Sequence, residues 1–105
     1  MKFNFFVMTL FKAKQFSLEM GFSRQDFLTL LESQGKLLYS QEGNLIEFSF
    51  ANQTVEVLIG DEGLRRFGSV KLPVLPLSFD FSNVGDIEQE QFMTLFLLKF
   101  QRGGG

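Results

Sequence analysis

From Leu45 to Ile59 every second side chain is apolar, with a single interruption. Ile46, Phe48 and Phe50 alternate with Glu47 and Ser49; beyond Asn52-Gln53, Val55, Val57 and Ile59 alternate with Thr54 and Glu56. A period of two puts the apolar set on one side of an extended chain, whereas a helix would scatter it around the axis. Two such runs joined by a short polar turn read as neighbouring antiparallel strands. The resulting sheet has one greasy face and one wet face, and the rest of the chain must supply a cover for the first.

The flanking segments extend the sheet. Lys36–Ser40 reads as a strand that turns through Glu42-Gly43-Asn44 into the first run, giving a meander. Residues 3–10 and 16–20 read as a hairpin joined through residues 12–15, with Phe16, Leu18 and Met20 alternating against Ser17 and Glu19. A last strand places Leu75, Leu77, Phe79 and Phe81 inward, and Ser78 and Asp80 outward. Between these lies "GDEGLRRFGSVKLP", Gly60–Pro73, which reads as an irregular excursion holding at most one helical turn. Pro73 and Pro76 suit only an edge strand or the first position of a strand.

Two helices can cover the sheet. Ser23 caps the first, with Asp26 at the third helical position and a hydrophobic staple between Phe22 and Phe27. Phe27, Leu30 and Leu31 form its buried stripe, and Gly35 stops it. The second starts at Asp86, which pairs with Gln89 as a cap, while Glu88 and Glu90 suit the positive end of the dipole. Phe92, Met93, Phe96, Leu97 and Phe100 then share one face, and Ile87, Leu95 and Leu98 another. A strand reading of 86–101 also exists, since Phe92, Thr94, Phe96, Leu98 and Phe100 alternate. The recurrence of Phe every four residues after an acidic capped start favours helix. The expected class is α+β: a mostly antiparallel sheet of five or six strands with two helices packed on one face. Residues 1–102 form a single domain, and 103–105 a flexible glycine tail.

Composition bounds the chemistry. The chain has no cysteine and no histidine, so thiolate nucleophiles, sulfur-ligated metals and imidazole bases are absent. No base stands ready to activate a serine or threonine. Asp61-Glu62 and the group Asp86, Glu88 and Glu90 match no calcium loop and read as solvated turn and dipole partners. No enzyme activity, metal or cofactor is expected. A net charge of −2 argues against nucleic acid. No apolar run approaches the ~20 residues of a bilayer span. The run Phe3–Phe11 is broken by Asn4, and cleavage after Ala13 would put bulky Phe11 where a signal peptide wants a small residue, so the cytoplasm is the default compartment. Asn52-Gln53-Thr54 reads as a turn rather than a glycan acceptor.

Fifteen phenylalanines in 105 residues, with a mean hydropathy of +0.09, exceed what so small a body can readily enclose. Some apolar surface therefore belongs to an interface, with Ile87, Leu95 and Leu98 as the candidate patch of a homodimer or of a contact with another protein. Arg65 and Arg66, with Lys71 and the permissive glycines around them, are candidates for an anionic ligand or acidic partner. The alternative is an exposed connection whose arginines pair with Asp61 or Glu62.

"FFVMTLFKAKQFSLEMGFSRQDFLTLLESQG" (residues 5–35) and the closing "TLFLLKFQRGGG" resemble ubiquitin-like β-grasp proteins, which begin with a hairpin and a capped helix and end in a strand, an arginine and glycines. The resemblance implies a carrier whose Gly104 or Gly105 carboxylate an activating enzyme would adenylate. Residues 36–81 hold more strands than that core needs, and a helix over 86–101 makes the glycines a stop and a free end. The favoured expectation is a non-catalytic interaction module that homo-oligomerises through apolar surface.

Overall fold

The alternating runs pair as their period requires. The computed structural model describes residues 13–100 and contains, in order, β1 (Gln15–Met20), α1 (Arg24–Ser33), β2 (Leu38–Glu42), β3 (Leu45–Phe50), β4 (Gln53–Ile59), β5 (Gly63–Phe67), β6 (Val70–Asp80) and α2 (Asp86–Lys99). The strands form an antiparallel sheet of order β1-β6-β4-β3-β2, with β5 paired to β6. Both helices pack on the face carrying Ile46, Phe48, Val55, Val57, Ile59, Leu75, Leu77 and Phe79, and all of these are buried. The α+β expectation is met in class, strand number and helix number. The expected strand over residues 3–10, its hairpin and the glycine tail lie outside the described residues.

Helix α1 forms as its caps dictate. Ser23 takes an extended conformation and its hydroxyl accepts the Asp26 N–H at 3.0 Å. The Phe22 and Phe27 rings meet with centroids 5.6 Å apart, closing the staple. Gly35 ends the helix at φ +67°, a backbone that a side chain would strain. Phe27 and Leu31 are fully buried, whereas Leu30 is only half covered. Before the chain turns into β2, the Gln34 side chain serves four backbone groups, the Leu31 carbonyl at 3.3 Å among them. Its Nε2 donates to the carbonyl of Leu37 at 2.8 Å, and its Oε1 accepts the N–H groups of Lys36 and Leu37 at 2.9 and 2.8 Å. That capture holds residues 36 and 37 out of the ladder, so β2 begins at Leu38 rather than at Lys36.

The turns differ from expectation by one residue. Glu42 faces Leu45 and Phe50 faces Gln53, so the two-residue turns are Gly43-Asn44 and Ala51-Asn52. Ala51 and Asn52 both have positive φ, +51° and +61°, the signature of a type I′ hairpin whose twist matches the strands. Alanine is a poor residue for that position, which is why the sequence reading placed the turn one residue late, at Asn52-Gln53.

Helix α2 runs from Asp86 to Lys99, so the helical reading of this segment holds and the closing strand implied by the β-grasp resemblance is absent from these residues. Its N-cap is Gly85 rather than Asp86. Asp86 pairs instead with Lys14 at 2.8 Å, and the buried Gln89 side chain donates to the Ala13 carbonyl at 2.8 Å. Phe92, Met93, Phe96 and Phe100 are fully buried. The Phe96 ring lies 4.4 Å from Phe100, 5.2 Å from Phe79 and 6.1 Å from Phe48, centroid to centroid, joining the helix to two strands.

The segment expected to be irregular is instead a β-hairpin. β5 and β6 pair from Gly63↔Val74 to Phe67↔Val70 around a Gly68-Ser69 turn. Both prolines therefore lie inside β6. The ladder bond that Pro76 cannot donate falls where Gly60 N–H reaches the Pro76 carbonyl at 2.8 Å and the pairing is about to break. Pro73, of opposite parity, turns its missing N–H toward the edge where β1 has already ended at Met20↔Leu75.

Two stability predictions follow from these contacts. Ala51→Asn combined with Asn52→Gly installs the favoured I′ pair and raises the urea midpoint, by about 1 kcal/mol of stability, with an unchanged m-value. Phe96→Ala lowers stability by about 3–5 kcal/mol in the same measurement, through lost burial and the cavity it leaves.

Candidate functional site

The β5–β6 hairpin is an arm that leaves the end of the sheet. Ile59 faces Leu77 and Gly63 faces Val74, so three residues on one strand span two on the other, a β-bulge at Gly60–Glu62. The bulge turns Glu62 toward α1, where its carboxylate accepts the Arg24 N–H at 2.8 Å at the positive end of the helix dipole. Arg24 in turn donates to Asn44 Oδ1 at 2.7 Å. These bonds fix the root of the arm; beyond it every residue from Asp61 to Leu72 is exposed.

Register assigns the arm's side chains to two faces. Gly63, Arg65 and Phe67 oppose Val74, Leu72 and Val70, and because strands alternate, this set continues the outer, helix-free face of the sheet. Leu64 opposes Pro73 and Arg66 opposes Lys71 on the other side. The three cations expected to form one anion site are therefore split. Arg65 forms an ion pair with Glu19 of β1 rather than with Asp61 or Glu62. Arg66 and Lys71 stay together as directly opposed like charges, an unfavourable cross-strand pair in isolation.

The outer face of the sheet is the chemical complement of the arm. Glu47 faces Glu56, and Glu56 faces Asp80, which makes a row of three carboxylates across β3, β4 and β6. Glu19 and Glu42 share the face, and no cation occupies it on β1, β2, β3 or β4. In the next row Leu45 faces Leu58, beside an open depression bordered by Ser78, Glu56 and Asp80. Asp80 is held below the ordinary aspartate range by hydrogen bonds from the Ser82 hydroxyl and the Ser82 N–H, the latter at 2.8 Å, with Gln15 adding a weaker one against a small opposing desolvation.

Exposed apolar side chains follow the same face. Leu58 is 51% exposed, and on the arm Phe67 is 57%, Val70 53% and Leu72 46% exposed. Sequence reading missed them, although a hairpin signal was present: Gly68-Ser69 is a two-residue turn flanked by apolar residues of matching parity. The interface patch expected on α2 is only partly bared, with Ile87 67% and Leu98 60% exposed and Leu95 half-buried. Gly104 and Gly105 lie outside the described residues. Among the described residues no three His, Cys, Asp or Glu side chains converge as metal ligands, and no helix is long and apolar enough to cross a membrane. Compared with protein-family models, with curated proteins and with solved structures, the chain matches none.

The Asp80 shift carries a sign. With the folded-state value depressed, its stabilisation is fully present above the unfolded value and is lost as pH falls through the folded one. Ser82→Ala moves the Asp80 carboxyl titration upward, toward the ordinary range, in an NMR titration, and narrows the stability gained between strong acid and neutrality.

Proposed function

We propose that the chain is a small non-catalytic interaction module that self-associates through exposed apolar surface. The supporting observation is the continuity of Leu58, Val70, Leu72 and Phe67 from the sheet onto the arm. An apolar strip bounded by charges is a usual feature of a contact surface. The absence of histidine and cysteine leaves a reaction centre without its commonest bases and nucleophiles. The interior needs no partner, because eight phenylalanines (Phe22, Phe27, Phe48, Phe79, Phe81, Phe92, Phe96 and Phe100) are already enclosed.

A second reading has its own support. The Arg66–Lys71 pair leaves two adjacent cations with no carboxylate between Gly63 and Val74. An acidic or anionic partner would relieve that repulsion.

Sedimentation equilibrium separates these readings. Self-association makes the mass rise with concentration through the micromolar range. Phe67→Ser with Val70→Ser then returns the protein to monomer with its melting temperature nearly unchanged, since both side chains are exposed. A mass that stays at one chain throughout removes the proposal, and amide shifts over 63–72 on adding phosphate would then favour the anion reading.

A further inference from the structure

We infer that the outer edge of β5 receives an extended acidic segment of another protein as an added antiparallel strand, with a carboxylate of that segment set beside Arg66 and Lys71. This rests on the acidic-partner reading above and specifies its binding mode and the chemistry of the partner.

Backbone geometry favours this edge. Gly68 opens the arm's turn at φ +60°, and a two-residue turn of this kind closes on a hydrogen-bonded pair, here Phe67 and Val70. Bonding alternates from there, so Gly63 and Arg65 direct their N–H and C=O groups to β6, while Leu64 and Arg66 turn theirs outward. Beyond the bulge, β5 continues the line of β4 along the same side of β6. β3 covers the other side of β4 only as far as Leu45↔Leu58, and among the described residues β5 pairs with β6 alone. An added strand would prolong the line of β3, antiparallel to β5 as β3 is to β4. The opposite edge of the arm is poorer: Lys71 and Pro73 turn outward there, and Pro73 has no N–H to donate.

Side chains select the partner. Leu64, Arg66, Lys71 and Pro73 share one face of the arm, Leu64 is 68% exposed, and no carboxylate lies between Gly63 and Val74. Arg65 takes no part, since it is paired with Glu19 on the opposite face. In an antiparallel strand the residue beside Arg66 is acidic, neutralising it and easing its repulsion from Lys71. Two positions later the residue beside Leu64 is apolar. The residue before the acid lies beside Phe67, on the other face, where an apolar side chain also fits. The partner's pattern is apolar, acidic, any, apolar. A lipid surface fits less well, because the unpaired backbone groups of Leu64, Arg66 and Lys71 find no partners in hydrocarbon.

A synthetic peptide of about eight residues containing Val-Glu-Thr-Val tests the mode on the full chain, by calorimetric titration and amide hydrogen exchange. On saturation, exchange at the Leu64 and Arg66 N–H groups slows at least about tenfold, while Arg65 and Phe67, already bonded, change little. Arg66→Glu/Lys71→Glu weakens the peptide at least about tenfold, and a Val-Lys-Thr-Val peptide then binds that variant better than it binds the parent. Leu64→Pro removes an outward N–H and abolishes binding, whereas Leu64→Ala keeps the N–H and loses less. Melting curves show that each variant folds, and the parent's exchange decides the matter should Leu64→Pro not fold. Inorganic phosphate or a scrambled peptide acting as strongly as the patterned one, with Leu64 and Arg66 exchange unchanged, overturns strand addition and leaves the acidic-partner reading standing. If neither peptide nor phosphate binds, both fall. Binding to phosphatidylserine vesicles but not to phosphatidylcholine vesicles, with the peptide unbound, overturns the inference in favour of a lipid surface.

Discussion

A connected set of phenylalanine rings holds the layers of this fold together. From Phe22 the contacts pass to Phe27, across to Phe100 at 5.1 Å, along α2 to Phe96, and from there to Phe79 and Phe48 in the sheet. Phe92 extends the set to Phe81 and Phe50 at 5.7 Å each. Each ring buries a large apolar area, and edge-to-face contacts such as Phe79–Phe96, with planes 88° apart, add an electrostatic preference for one geometry. Leu31 and Met93 on the helices and Ile46, Val55, Val57, Leu75 and Leu77 on the sheet fill the same buried cluster. Polar ties across the layers include Lys14 to Asp86 and Gln89 to the Ala13 carbonyl. Phenylalanine content that looked like surplus for an interface therefore supplies much of the interior, and among the described phenylalanines only Phe67 stands out in water.

Covering one face with both helices leaves the other face to solvent, and that decides where charge goes. Positions of one parity in β3, β4 and β6 must be apolar to meet the rings, so the carboxylates fall on the other parity and line up in register. Glu47, Glu56 and Asp80 become neighbours by the same alternation that makes Phe48, Val55 and Phe81 interior residues. The row follows from the pairing register, and no single segment of sequence announces it.

Legibility in the sequence tracks how local each signal is. The cap, staple and stop of helix α1 were readable because Ser23, Phe22, Phe27 and Gly35 act within one short segment. β3 and β4 were readable because alternation needs no partner to be recognised. The arm was not, since Pro73, Pro76 and three glycines are strand breakers when read locally. What rescues β6 is the geometry of its neighbours, a bulge beside Pro76 and the end of β1 beside Pro73, and neither is written in β6 itself. Ala51 displaced its turn by one residue in the reading, because it holds a left-handed conformation that alanine rarely adopts. The candidate surface inherits this limit: Arg65 and Arg66 were visible as charges, but their division between faces depends on register.

The separation of charge also bears on what the arm does not do. A hairpin standing clear of its sheet offers unpaired backbone on its edges, which ordinarily invites pairing with another hairpin of the same kind. Here two arms would bring six cations together with no acid among them. Two sheet faces stacked without the arms would oppose rows of carboxylates instead. Arm on arm and sheet on sheet would both bring like charges together. An exposed apolar hairpin is thus compatible with a defined contact rather than with open-ended edge pairing, because the sequence places its positive charges beside Phe67 and its negative ones beside Leu58.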